Sequence, residues 1–297
     1  MTSRTFHHEN NEILEWQWSS NNELMPAPFW TSNYLVDGLL IDTAAPGSVN
    51  ELREFINKLG GKNRIKKCIL THAHEDHSGG AFLVQEEFDI PVYSSRKTHD
   101  IMEDAFEYPN YRKMTWGEKL HPVKTKIISE KIISGNKKYE FSLLPMPGHA
   151  PGLLTLIEKQ KEWIFATDAI QPKYRMIFGP STNINEDISQ IYRSLVKLYE
   201  YTKDLKNPKI FMAGKEPIIG RDFILERIKE IKNKHKQAHT LYSKFKKKGY
   251  SERSSIKKVV KTIFGGEHFI GKFTRGGLSV QNLIKALLEW PLEENSK

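Results

Sequence analysis

The chain has 297 residues, 38% hydrophobic and 11% aromatic, with 45 Lys+Arg against 36 Asp+Glu and a formal net charge of +9. That length suits one large domain, or one domain plus a smaller one, and 15 Phe, 11 Tyr and 6 Trp exclude a disordered chain. The single cysteine, Cys68, excludes an internal disulfide; no window reaches the ~18 apolar residues of a membrane span, and the N-terminal stretch MTSRTFHHENNEILEW lacks the apolar centre of a signal peptide, so a cytoplasmic protein without a membrane partner is expected.

Residues 12–18 alternate loosely between apolar and polar and read as a first strand, broken by Pro26, Ala27 and Pro28. Residues 33–36 and 39–42 read as a hairpin, because Asp37-Gly38 supplies the positive φ angles of a tight turn. Asp42 closes its second arm. Ser48 and Glu51 have the spacing of a capping box, Leu52, Phe55, Ile56 and Leu59 share one helical face, and Gly60-Gly61 ends that helix. Residues 65–70 form a buried strand, which delivers the stretch THAHEDHSGG at 71–80. This βαβ rhythm predicts an α/β fold.

In extended backbone, side chains two apart point the same way, so His72, His74 and Asp76 share one side while His77 is offset. Imidazoles with a carboxylate suit zinc, and less selectively iron or manganese. A polar loop that happens to be rich in histidine is the bland reading. Ser78-Gly79-Gly80 lets the chain turn closely before a packed helix from Ala81.

Residues 90–93 read as a short strand with Pro91 near its start, and 100–113 as a helical or irregular segment near the site. Residues 127–133 and 138–144 read as a hairpin. Then PMPGHAPG, at 145–152, clamps His149 between two Pro-Gly steps. Strands at 153–157 and 163–166 follow, the second ending in Thr167-Asp168. Residues 185–201 form an amphipathic helix with Ile188, Ile191, Leu195 and Leu198 on one stripe, and 209–213 a last strand leading into Gly214-Lys215-Glu216-Pro217. Beyond Gly220 the texture changes to one long lysine-rich helix at 222–248 and two further helices at 255–264 and 279–290. Residues 221–297 hold 18 Lys+Arg and 8 Asp+Glu, a charge of +10, whereas the first 220 hold 27 and 28. Solvated helix faces explain such a surplus; a surface for phosphate backbones is the sharper reading.

The residues 72–77, H-x-H-x-D-H, resemble the signature of the metallo-β-lactamase superfamily. The His directly after the Asp is similar to the glyoxalase II, lactonase and RNase Z branches. The resemblance implies a four-layer αββα sandwich over residues 1–220, with 221–297 a small basic helical, winged-helix-like subdomain of the kind found in the β-lactamase-like protein 2 branch. It carries His72, His74 and His149 to a first metal and Asp76 and His77 to a second, with Asp168 bridging. An Asp at the position of Asp42 stands near the metals without binding them. Where the family usually has a last metal-binding His, this chain has Lys215, and an ammonium cannot ligate a metal. The second metal is then held by Asp76, His77 and Asp168 alone, or completed by Glu216, His235 or His239, or replaced by the Lys215 charge acting on Asp168.

The expected cofactor is therefore one or two zinc ions, with iron or manganese as alternatives. The expected function is hydrolysis of a small acyl substrate (ester, thioester or lactone), with Asp76 orienting the nucleophile and Lys215 gripping an anionic group. Two other readings stand beside it: a single-strand endoribonuclease using the basic C-terminal subdomain for nucleic acid, and a degenerate member that binds a metal or ligand without turnover. A monomer or a homodimer fits equally.

Overall fold

A computed structural model of the chain describes residues 3–20, 28–105, 107–118, 120–180 and 184–292. Pro26 and Ala27, expected to break the first strand, lie outside them. The chain divides into two compact units. The first comprises Met1–Ala169 with Asp204–Gly220, the second Ile170–Lys203 with Arg221–Lys297. The second unit begins its last segment at Arg221, and residues 170–203 group with it rather than with the residues before them.

The first unit opens with β1 (Ser3–His8), an exposed edge strand ahead of the strand expected first, β2 (Ile13–Trp18). β3 (Thr31–Val36) and β4 (Leu39–Ile41) form the expected hairpin, with Asp37 at φ 46° and Gly38 at φ 79° in its turn. Helix α1 (Val49–Leu59) follows and ends on Gly60 at φ 97°. Its start differs from expectation. Pro46 opens a 3-10 turn, so the Ser48 hydroxyl donates back to the Ala45 carbonyl at 2.7 Å and caps nothing. Glu51 instead accepts from the Trp18 indole.

β5 (Lys67–Ile69) runs parallel to β4, and the one-turn helix α2 (Glu75–Ser78) follows it. The chain continues through a π turn at Leu83–Glu87 to β6 (Val92–Ser94), α3 (Arg96–Asp104), α4 (Asn110–Trp116) and β7 (Lys126–Ile127). β1 to β7 form one seven-stranded sheet in chain order. The second sheet begins with β8 (Lys131–Ile133), β9 (Glu140–Pro145), β10 (Leu154–Glu158) and β11 (Trp163–Thr167). The expected hairpin arm at 127–133 is thus split, its first residues pairing with β6 and its last with β9. After β12 (Ile177–Phe178) and α5 (Ile188–Tyr201) in the second unit, the chain returns for β13 (Lys209–Met212), parallel to β11, and β14 (Ile218–Ile219).

Period-two alternation decides which core each side chain enters. Tyr34, Val36, Leu39, Ile41 and Ile69 point between the sheets, against Phe141, Leu156, Phe165 and Phe211. Leu35, Leu40, Cys68 and Val92 point the other way, against Leu52 and Ile56 of α1. Phe165 stacks on Phe211 at 4.7 Å, and Tyr34 meets both edge-on. Each such ring contributes about 1.5–3 kcal/mol on burial, against about 1 kcal/mol for a typical hydrogen bond. The inter-sheet core therefore sets the positions of the strand ends, and the polar loops follow it.

The second unit adds α6 (Asp222–Lys247), α7 (Glu252–Phe264), α8 (Phe269–Phe273), β15 (Leu278–Ser279) and α9 (Val280–Glu289). β12 and β15 pair as a two-stranded ribbon. Among the described residues no helix is long and apolar enough to cross a membrane.

Candidate metal centre

The donors come from loops that follow strands of the first unit. Beyond β5, Thr71 leads into His72, Ala73 and His74, and α2 carries Glu75, Asp76 and His77. Two glycines seat this loop by close approach. A Cβ on Gly79 would stand 2.2 Å from the Pro46 nitrogen, and one on Gly80 2.5 Å from the Thr43 carbonyl oxygen. The Leu154 amide donates to the Thr71 carbonyl at 2.9 Å and ties the loop to the second sheet. The loop carrying His149 is held at its far end, where the Gly152 carbonyl accepts from the Ser95 hydroxyl at 2.7 Å.

Two groups of donors result. His72, His74 and His149 form one; His72, His77 and Asp168 form the other; in each, the donor atoms all lie within 4.8 Å of one another. Asp168 Oδ2 sits 3.2 Å from His77 Nε2 and 3.4 Å from His149 Nε2, so this member of the second group also reaches the first. Asp168 reaches this place through a bulge. Phe165 pairs with Phe211 and Thr167 with Met212, so Ala166 is an extra residue, and Thr167 adopts φ 46°.

The hydrogen bonds fix which nitrogens are available. Asp42, fully buried, accepts from the Thr71 amide at 2.7 Å, the Thr71 hydroxyl at 2.8 Å and His77 Nδ1 at 2.7 Å. The hydroxyl of Thr71 has one proton and gives it to Asp42. At 3.0 Å from that hydroxyl oxygen, His72 Nδ1 must then be the donor. This leaves the lone pair on His72 Nε2, a buried atom without a hydrogen-bond partner among the described residues. Burial, then neighbouring histidines, push His72 and His74 well below the usual histidine range, so both are neutral at pH 7. Burial also works against a charged His77, but Asp42 and Asp168 outweigh it and hold its pKa well above the usual value. Burial would raise Asp168, yet His77 and His149 keep it well below the ordinary carboxylate range. The neutral imidazoles of His72 and His74 beside an ionised Asp168, with the His72 Nε2 lone pair between them, are a donor set that fits a divalent cation, whose binding would displace the His77 proton.

The remaining expected residues fall differently. Asp76 lies outside both donor groups, and its Oδ1 accepts from Arg112 Nη2 at 3.0 Å. Arg112 is buried on α4 and also pairs through Nε with the fully buried Glu75. Burial and Asp76 push the Glu75 carboxyl up, opposed by Arg112. Sequence reasoning missed both residues; the only signal was a charged, aromatic segment near the site. Lys215 and Glu216 are exposed on the loop after β13, and among the described residues Lys215 makes no ion pair with Asp168, whose carboxylate faces the two histidines. The loop itself is pinned, with the Gly214 amide donating to the Ser32 hydroxyl at 2.7 Å. His235 and His239 are not in either donor group. Their Nε2 atoms bond the Trp290 carbonyl at 2.8 and 2.9 Å, at the end of α9. Cys68 lies outside both donor groups, buried in the core against α1.

Comparison with known proteins agrees with this geometry. A probable metallo-hydrolase of Methanocaldococcus jannaschii is 30% identical over 130 residues, covering 43% of this chain and 62% of the relative. A hydroxyacylglutathione hydrolase of Bdellovibrio bacteriovorus is 25% identical over 150 residues, 48% of this chain and 51% of the relative. The chain thus spans less than two thirds of either. Among solved structures, a metallo-beta-lactamase from Pontibacter korlensis matches with TM-score 0.58 at 16% identity, covering 78% of this chain and 99% of that one. The metallo-beta-lactamase FIM-1 from Pseudomonas aeruginosa, in its mono-zinc form, matches with TM-score 0.58 at 13% identity, over 77% and 94%. These structures share the fold. The sequence model of the metallo-beta-lactamase superfamily matches residues 31–215. With the signature histidines, the paired sheets and the two donor groups in place, the chain belongs to the metallo-beta-lactamase superfamily.

Proposed function

We propose that the protein is a metal-dependent hydrolase of small acyl substrates, holding zinc on His72, His74 and His149, with a second, weaker position at His77 and Asp168. The observation that carries this reading is the pair of donor groups sharing His72, with Asp168 in the second and within reach of His149 of the first. A bound divalent cation supplies Lewis acidity and brings the pKa of water from about 16 to about 7. The chain's own residues do the rest. Asp42 and Thr71 fix the tautomers of His77 and His72. Arg112 pins one oxygen of Asp76 and so sets how that carboxylate is presented to a nucleophilic water. Asp76 then orients that water and accepts its proton. Lys215, exposed beside the strand end that carries Asp168, meets an anionic part of the substrate. The hydroxyacylglutathione hydrolase among the relatives is named for a thioester substrate, which favours this class over phosphodiesters.

A second reading is cleavage of single-stranded RNA, favoured by the +10 charge of residues 221–297.

The test is metal content per chain on protein purified without a chelating tag, together with turnover of a panel of esters, thioesters, lactones and single-stranded RNA. The proposal expects tight binding of one zinc, loose binding of a second, and acyl hydrolysis abolished by His74→Ala. It also expects Lys215→Ala to raise KM with metal content unchanged. Stoichiometric metal with RNA cleavage and no acyl turnover would replace the first reading with the second. Absence of bound metal would refute both.

A further inference from the structure

The second unit contains a cavity of about 450 Å³. Four of its lining side chains are basic: Lys173, Arg175, Lys234 and His268. Its two acids, Glu230 and Glu267, are already committed inside the unit. Glu230 accepts from the Tyr174 amide at 3.2 Å and pairs with Arg227 at 3.0 Å and with Lys234. Glu267 accepts from the Val280 and Gln281 amides at 2.9 and 3.1 Å, in the first turn of α9.

The cations are less committed. Among the described residues neither Lys173 nor Arg175 forms an ion pair, and both are exposed. Lys234 donates to the Tyr174 carbonyl and to Glu230, which uses two of its three protons. His268 Nδ1 accepts from the Ile270 amide at 3.3 Å, so the neutral ring carries its proton on Nε2. The wall between them includes Phe264, with the Lys234 ammonium 5.2 Å from its ring centre, and the Gly265-Gly266 turn, whose φ angles of 81° and 134° require glycine.

We propose that this cavity binds a phosphate-bearing ligand of nucleotide size. The volume falls in the ordinary range of small-molecule sites, roughly 300–1,000 Å³. Several donors lining one cavity suit an anion with several oxygens, and a phosphate presents three. Phe264 offers a ring face for a base. The phosphate could belong to a free nucleotide or to a single-stranded RNA, and the chemistry that recognises it is the same.

Calorimetric titration of the full chain separates these sources. The probes are adenosine 5′-monophosphate, inorganic phosphate and a twelve-residue oligoadenylate. The variants are Lys173→Ala/Arg175→Ala, Arg175→Gln alone, and His74→Ala at the metal centre. We expect saturable binding of the monophosphate, weakened about tenfold or more in the double variant by loss of charge-assisted bonds. Thermal unfolding should be unchanged, and His74→Ala should bind normally. Oligoadenylate bound in preference to the monophosphate, and lost in the double variant, would assign the phosphate to a nucleic acid and uphold the site. No saturable binding of any probe would overturn the proposal. So would binding that survives in the double variant, or that disappears in His74→Ala. None of these results bears on acyl turnover, so the two readings fail separately.

Discussion

Replacing Asp42 by Asn separates orientation of the metal centre from its stability. The residue sits at φ 64°, a left-handed conformation that Asn tolerates as well as Asp, so the backbone is not disturbed. One carboxylate oxygen accepts from the Thr71 amide, which can only donate. The Asn carbonyl must take that position. Its NH2 then falls where Oδ2 had accepted from His77 Nδ1 and the Thr71 hydroxyl. The hydroxyl can rotate and accept. His77, charged in the metal-free protein, can accept only by giving up its Nδ1 proton and keeping the one on Nε2, the atom that faces Asp168 at 3.2 Å. In the metal-free protein the Nε2 proton already bonds Asp168, so the change removes the charge-assisted bond between His77 and Asp42 and should cost about 1.5–3 kcal/mol. In the metal-loaded protein that proton sits on the ligating atom. Changes of this kind cost roughly 10–100-fold in metal affinity. Competition of zinc against a chromophoric chelator would read the loss at the weaker of two sites, and imidazole nitrogen NMR would read the tautomer. An unchanged zinc titration with His77 still protonated at Nδ1 would refute the reasoning.

Arg112→Ala leaves the Glu75 carboxylate buried and unpaired, and should destabilise the protein by about 3–5 kcal/mol in denaturant unfolding. Adding Glu75→Leu should recover much of that loss, because the stranded charge is then gone. Gly79→Ala drives a methyl into the Pro46 backbone at 2.2 Å, and should cost about 3 kcal/mol or more together with zinc stoichiometry. Glu12 is bonded by Lys138 and Lys161, which lower its pKa to about 2. Its folded-state pKa is depressed, so its contribution is present above the ordinary carboxylate value and is lost as pH falls toward 2. A carboxyl NMR titration should show this midpoint, and Lys138→Ala should raise it.

The residues of the two donor groups were legible because they need little more than spacing. His72, His74 and His77 lie within six residues, and the Pro-Gly steps around His149 mark a rigid turn. The residues that hold this loop in place were harder to see. Arg112 lies 36 residues from Asp76 in sequence and reaches it only through tertiary packing. β1 escaped notice because its side chains are mostly exposed and show no alternation. Ser48 and Glu51 have the spacing of a cap, but the 3-10 turn opened by Pro46 aims the serine elsewhere. Ile127, Ile128, Ile132 and Ile133 look like one strand by composition, and nothing local marks that the chain crosses between sheets among them. Pairing register is a property of the partner strand, and a single chain segment does not carry it.

The bulge at the end of β11 has a consequence for how such a centre can change. A strand side chain's direction depends only on whether its position is odd or even, so a single inserted residue reverses every side chain beyond it. Ala166 is that insertion, and it lies two residues before the carboxylate of the second donor group. Deleting it would restore regular pairing with β13 and turn Asp168 to the opposite face, with every ligand still present in the sequence. One codon of length, rather than any ligand's identity, can therefore switch this position between holding the carboxylate in the centre and withdrawing it. An alignment scored by residue identity would count the two forms as the same site.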